Sequence, residues 1–223
     1  MGSVEDDSML KRPDDYLKMT WLDYVLKSGL TIEEFALILA RDNHINSLKK
    51  LFLMVESLDE MKIMHVAAEA NSGDVLIYML QQRKCNVKGK HLGETVLHRA
   101  VIKNSLRTVD YVLENFPDLL DAKNNRDETA LHCAAKIGNL STVERLMKRG
   151  AHVNAGFEGL DAPLHLAVRG NHVKALRILS NYKPDINVGD VDGNKPIILG
   201  MKNHDVLSFL DEANPTVRIN FHN

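Results

Sequence analysis

The chain has 223 residues, 44% of them hydrophobic and 26% charged, which supplies a core and excludes wholesale disorder. Its formal net charge of −2 provides no global basic field for nucleic acid, and no run reaches the ~18 apolar residues that span a membrane. Charge is uneven: residues 1–60 hold 7 Lys or Arg against 12 Asp or Glu, whereas residues 61–223 hold 21 against 18. Cys85 and Cys133 have no metal-type spacing and read as free thiols of a reducing compartment.

In chain order, residues 1–13 include Val4-Glu5-Asp6-Asp7 and Pro13; they lack the apolar core of a signal peptide and read as flexible. Met1-Gly2 would suit myristoylation, but Asp6 stands where Ser or Thr belongs, so the expected location is cytoplasmic and/or nuclear. Asp14-Asp15 open a predicted helix with Leu17, Trp21, Tyr24, Val25 and Leu26 at helical spacing, ending at Gly29; Trp21 reads as buried. Thr31-Ile32-Glu33-Glu34 is a capping-box pattern ahead of Phe35, Leu37, Ile38 and Leu39. Asn43-His44-Ile45-Asn46 breaks that helix, and Leu48, Leu51, Phe52 and Val55 carry the next.

Beyond residue 58 the chain repeats itself. Lys62-Ile63-Met64-His65, Thr95-Val96-Leu97-His98, Thr129-Ala130-Leu131-His132 and Ala162-Pro163-Leu164-His165 are followed by Val66-Ala67-Ala68, Arg99-Ala100-Val101, Cys133-Ala134-Ala135 and Leu166-Ala167-Val168. The histidines are 33, 34 and 33 residues apart. A fixed period of this length marks stacked units that bury their cores against one another. A turn and a second helix follow each stretch. In the third copy these are Gly138-Asn139, then Val143, Leu146 and Met147, with Gly150 as a left-handed stop. Asp190-Val191-Asp192-Gly193-Asn194 has the chemistry of a hairpin tip.

These motifs resemble the ankyrin-repeat family: Thr-Pro-Leu-His-x-Ala, Gly between the helices, Gly-Ala-x-Val-Asn after the second helix, and Asp-x-x-Gly before the next copy. The third copy keeps Thr129, Leu131, His132, Ala134, Gly138, Gly150, Ala151, Val153 and Asn154; the fourth keeps Pro163, Leu164, His165, Ala167, Asn187, Asp190 and Gly193. The resemblance covers about residues 60–211 and implies an all-α ankyrin-repeat solenoid, each repeat a helix–turn–helix plus a β-hairpin or loop. The expected organisation is residues 1–13 flexible, 14–58 an N-terminal helical cap with a degenerate first repeat, 59–211 the repeats, and 212–223 a tail. The repeats are four recognisable copies and a short capping copy beginning at Lys195-Pro196-Ile197-Ile198, with a short second helix. Copy one, with Glu69-Ala70-Asn71-Ser72-Gly73, is expected to have an extended inter-helix turn. Copy two is one residue longer at Asn115-Phe116-Pro117-Asp118, and Phe157 and Leu160 replace the Asp and Gly of one tip.

The histidines read as architecture. Equivalent residues of stacked helices lie ~10 Å apart, whereas zinc gathers its ligands at ~2 Å. Each imidazole is therefore expected to bond backbone groups at the base of a hairpin. The small residues Ala67, Ala100, Ala134 and Ala167 let the helix layers approach. No nucleophile elbow, phosphate loop or His-Glu-x-x-His occurs, so the chain reads as non-enzymatic, with no catalytic residue, cofactor or metal.

The resemblance implies that function lies in binding another protein or peptide through the concave face. The tips offer His91, Leu92, Glu94, Asn125, Arg126, Glu128, Phe157, Glu158, Asp161, Val191, Asp192 and Asn194; the first helices offer Ile102, Lys103, Lys136, Ile137, Arg169 and Lys202. Lys103, Lys136, Arg169 and Lys202 read as a basic stripe, and Glu94, Glu128, Asp161 and Asp192 as an acidic one, each with one residue per repeat. Either the stripes neutralise each other as solvated ion pairs, or they form a two-rail groove with Leu92, Ile102, Ile137, Phe157 and Val191 as apolar anchors. The reading is a scaffold or adaptor, with neither nucleic acid nor membrane as partner. Two others stand beside it: masking of a transcription factor in the manner of the inhibitor-of-κB group, and docking through residues 14–58.

Overall fold

The computed structural model describes residue 25, residues 27–156, 161–201 and 203–213, the last three without side chains. Trp21 and residues 14–24 of the first expected helix lie outside the described residues. Those described form six antiparallel helix pairs: α1 (Ile32–Arg41) with α2 (Ile45–Met54), α3 (Glu60–Glu69) with α4 (Gly73–Gln81), α5 (Val96–Ile102) with α6 (Leu106–Asn115), α7 (Ala130–Ile137) with α8 (Leu140–Lys148), α9 (Pro163–Arg169) with α10 (Val173–Ser180), and α11 (Pro196–Gly200) with α12 (His204–Ala213). The all-α solenoid expected from the repeat period is thus the observed fold.

Local chemistry sets the helix starts. Thr31 accepts from Glu34 N at 3.2 Å while Glu34 Oε2 accepts from Thr31 N at 2.8 Å, which completes the capping box. Thr95 and Thr129 cap α5 and α7, and Pro163 occupies the first position of α9, where a missing N–H leaves nothing unpaired. Ala67, Ala100, Ala134 and Ala167 are wholly buried, as are the second-helix residues Val75, Leu76, Val109, Val112, Val143, Leu146, Ala175 and Leu176. Each buried Leu or Val contributes roughly 1.5–3 kcal/mol by leaving water. Successive first helices pack more closely on one another than successive second helices do.

In the first five helix pairs the inter-helix turn keeps one register relative to the repeat. Asn43, Asn71, Asn104, Gly138 and Asn171 occupy the same left-handed position, with φ between 56° and 75°. The extended turn expected in copy one is therefore corrected: Asn71 adopts the left-handed geometry without an insertion, because Asn tolerates it almost as well as Gly. These turns also carry an inter-repeat ladder that the sequence did not announce. Asn43 Oδ1 accepts from Val75 N at 3.3 Å and Asn71 Oδ1 from Thr108 N at 3.2 Å. One residue on, Ser72 donates to Arg41 O, Ser105 to Glu69 O and His172 to Lys136 O, at 2.7, 2.6 and 3.1 Å. Gly138 is required where the bulky His172 replaces serine, since a Cβ on Gly138 would stand 2.3 Å from its ring.

The tips divide between the hairpin and the loop form, and one further expectation, on the last repeat, is corrected. A paired β-hairpin occurs once among the described residues, where β1 (Lys90–His91) pairs with β2 (Glu94–Thr95) through Lys90↔Thr95 and His91↔Glu94; the tips at 124–128 and 190–194 close as turns. In the last repeat the first helix, not the second, is short: α11 has 5 residues and α12 has 10. The extra residue of copy two is taken up by the 3-10 turn Pro117–Leu119, which buries Leu119.

Candidate functional site

The tips are anchored from below by the histidines. His65 Nε2 faces Glu94 O at 3.1 Å, His98 Nε2 donates to Glu128 O at 2.9 Å, and His165 Nε2 donates to Val188 O at 3.0 Å. A carbonyl only accepts, so Nε2 of His98 carries the proton and Nδ1 accepts from Thr95 Oγ1 at 2.7 Å. Burial lowers the pKa of His65, His98 and His132, keeping the rings neutral.

Each of two tips is also tied by one polar side chain. Asn124 Oδ1 accepts from Arg126 N and Glu128 N at 2.8 and 3.0 Å. Asp190 Oδ1 accepts in the same way from Asp192 N and Asn194 N at 2.9 and 2.7 Å. Burial of Asp190 opposes its charge, but those two N–H groups, the Asn194 amide and the Arg169 guanidinium outweigh it and lower its pKa. Asn124 Nδ2 further donates to Glu94 and Glu128, both at 3.1 Å, and Arg126 bridges the same two carboxylates at 2.8 Å. This network closes the second tip on the third.

The charged stripes are realised in part. Lys136 lies 3.7 Å from Glu128 and Arg169 lies 3.3 Å from Asp161. Arg169 also pairs with buried Asp190. Three assignments are corrected. Glu94 is not on the surface: its residue is 6% exposed because Arg126 and Asn124 cover it. Lys103 does not share a row with Lys136 and Arg169. Counted from the histidines, Ile102 holds that position, and Lys103 is one residue on, turned about 100° around the helix. Asp192 likewise stands two residues before Asn194, the residue in register with Glu94, Glu128 and Asp161.

Of the apolar anchors, Leu92, Ile137 and Val191 are 76%, 47% and 58% exposed, while Ile102 is half-buried. Asn125, Arg126, Lys136, Arg169, Val191 and Asp192 are exposed; His91, Glu128, Asp161 and Asn194 are half-buried. Phe157, Glu158 and Lys202 lie outside the described residues. Sequence reasoning missed Leu166, which joins Arg126, Lys136, Asp161 and Val191 around a cavity of about 270 Å³ between the third, fourth and fifth tips. The histidine at this junction, His132, accepts Thr129 N at 3.0 Å through Nδ1, which places its proton on Nε2. The carbonyls of Ala155 and Asp161 face the ring, yet Nε2 has no hydrogen-bond partner, and neither has Asp161 Oδ1.

Glu94, His98 and Cys133 converge, their potential ligand atoms within 4.8 Å of one another. Spacing among the histidines alone could not have revealed this mixed cluster. Its donors are already used: both nitrogens of His98 are bonded, Glu94 holds Asn124 and Arg126, and burial pushes the Cys133 thiol up to about 12. Cys85 and Cys133 are both free, and no helix among the described residues is long and apolar enough to cross a membrane.

Comparison with known proteins agrees with this geometry. The family pattern described as ankyrin repeats in three copies matches residues 35–122, 64–157 and 116–190. Similar proteins include the transient receptor potential cation channel subfamily A member 1 of Homo sapiens, 27% identical over 105 residues, or 46% of this chain. The nuclear factor NF-kappa-B p105 subunit of Gallus gallus is 28% identical over 131 residues, or 56% of this chain. An ankyrin repeat protein of fowlpox virus is 30% identical over 168 residues, or 69% of this chain. The matched segments span 9%, 13% and 48% of those proteins.

Proposed function

This chain belongs to the ankyrin-repeat family, and on that premise we propose that it is a non-enzymatic adaptor that binds a partner protein through the first-helix face and its tips. Ankyrin repeats are generally protein–protein interaction modules. The observation that carries the reading is the set of large apolar side chains that packing leaves unused at the tips: Leu92 and Val191 stand exposed, and Val191 shares one cavity with Arg126 and Lys136. Burial of such anchors within a charged rim is how interfaces gain most of their affinity. The expected location remains cytoplasmic and/or nuclear. Similarity to the NF-kappa-B subunit is no greater than to the cation channel or the viral protein, so it does not favour masking of a transcription factor.

The test is affinity capture with the wild type, an inner-face double variant (Lys136→Glu, Val191→Asp) and an outer-face double variant (Glu144→Lys, Lys174→Glu). Partners are expected to be lost from the first variant and kept by the second, with both folded by circular dichroism. Equal capture by all three overturns the reading. Arg169 is left intact because it neutralises buried Asp190. Phe35, Leu39, Leu48 and Leu51 of α1 and α2 are buried in the common core, which supports these two helices as a cap rather than a docking module. A truncation lacking residues 1–58 that still melts cooperatively but no longer captures the partner would reverse that choice.

A further inference from the structure

The charges around the cavity between the third, fourth and fifth tips differ in exposure. The side chains of Glu128, Asp161 and Asp190 are 14%, 21% and 0% exposed, those of Arg126, Lys136 and Arg169 62%, 59% and 41%, and the exposed acids are Asp127 and Asp192 at the outer ends of their tips. Within the cavity lining itself the exposed charges are the cations Arg126 and Lys136. The acids already accept bonds from Asn124, Arg126 and Arg169, and from the backbone of the 190–194 tip. The cations keep unused donors: Lys136 makes only its 3.7 Å contact with Glu128, and an ammonium has three protons to give. The wall between the charges is apolar, formed by Leu166 and the exposed Val191.

We propose that this cavity seats an acidic linear peptide segment. One apolar side chain enters against Leu166 and Val191, and flanking Asp or Glu residues meet Arg126 and Lys136. Desolvation of the apolar residue supplies the affinity, and the exposed cations set the sign of the partner and its orientation. A segment carrying basic residues would face the cations directly and be repelled. The inference rests on the proposed binding face and adds to it the chemistry of the partner.

The test is selection from a random linear peptide display library on the intact chain, followed by fluorescence anisotropy of the synthetic consensus. The expected consensus is an apolar residue flanked by acids, bound at least about tenfold more weakly by Lys136→Glu and by Val191→Asp, both surface positions whose variants keep the wild-type melting curve. Added salt is expected to weaken binding to the wild type and to leave the residual affinity of Lys136→Glu less affected. A basic or uncharged consensus, no enrichment above background, or an acidic consensus that both variants bind as the wild type does would overturn the inference. If a protein partner is still captured through the inner face while its bound segment is neutral or basic, the proposed function stands and the acidic-segment inference alone falls.

Discussion

Between the second and third tips, His98 donates to Glu128 O, Asn124 ties its own tip and reaches both acids, and Arg126 caps the pair. Between the third and fourth tips, His132 turns the same Nε2 proton toward the carbonyls of Ala155 and Asp161 without a well-formed bond, Asp161 Oδ1 is unpaired, and a cavity lies beside them. The two junctions share the helix pairs, the left-handed turn and the histidine. They differ eight residues before the histidine, where one tip has Asn124, the fifth-repeat tip has Asp190 at the equivalent place, and the fourth has Phe157. A short polar side chain there can accept two backbone N–H groups and hold the loop shut; an aromatic ring has no oxygen to do so. One side chain thus distinguishes the third and fifth tips, where Asn124 and Asp190 each accept two backbone N–H groups, from the fourth, whose sequence has no such acceptor at that position.

The largest effect is expected from opening the closed junction. Asn124→Ala removes a 2%-exposed side chain, leaves buried Glu94 to Arg126 alone and strands two N–H groups, at a cost of about 3 kcal/mol; urea denaturation measures it, and a loss under about 1 kcal/mol would mean that the network is ornamental. The paired substitution is next. His98→Ala breaks bonds at both nitrogens and should cost about 2 kcal/mol, whereas His132→Ala breaks bonds at Nδ1 alone and should cost about half as much. Equal losses would show that the junctions do not differ in the folded state.

Acidification probes the same rings. His65, His98 and His132 have lowered pKa values in the folded chain, chiefly through burial. The unfolded chain therefore takes up protons first, and stability is full above the ordinary histidine value and falls as pH drops through and below it. Melting temperature should decline below about pH 6.5, and the decline should be shallower in His98→Gln, which keeps a hydrogen-bonding group and cannot titrate in this range. The smallest effect is a gain. Ala162 stands where Thr95 and Thr129 bond their histidines, and His165 Nδ1 has no partner. Ala162→Thr should raise stability by up to about 1 kcal/mol, measured as a small upward shift in melting temperature.

Much of this architecture was legible before any coordinates. The Thr31/Glu34 capping box, Pro163 at a helix start and the structural role of the histidines all follow from local residue chemistry and a constant period. The inter-helix turn was partly legible: Gly138 was recognised, but Asn43, Asn71, Asn104 and Asn171 were not seen as its equivalents, because Asn and Gly share a backbone conformation without sharing a letter. The charged stripes were the least secure. Lys103 was aligned by proximity to Lys136 in the repeat, yet the histidine register puts Ile102 there, and one step around a helix turns a side chain by about 100°.

The sequence by itself determined how many units stack, where their helices start and stop, and which residues face the core, because capping, turn geometry and periodicity act within a few residues. Only the tertiary structure decided that Glu94 sinks beneath Arg126, that Arg169 is committed to Asp161 and Asp190, and that Leu166 and Val191 flank a cavity. The physical reason is distance along the chain. Whether a side chain is covered, paired or left open depends on what the next repeat, about thirty residues away, lays over it, and no local pattern records that.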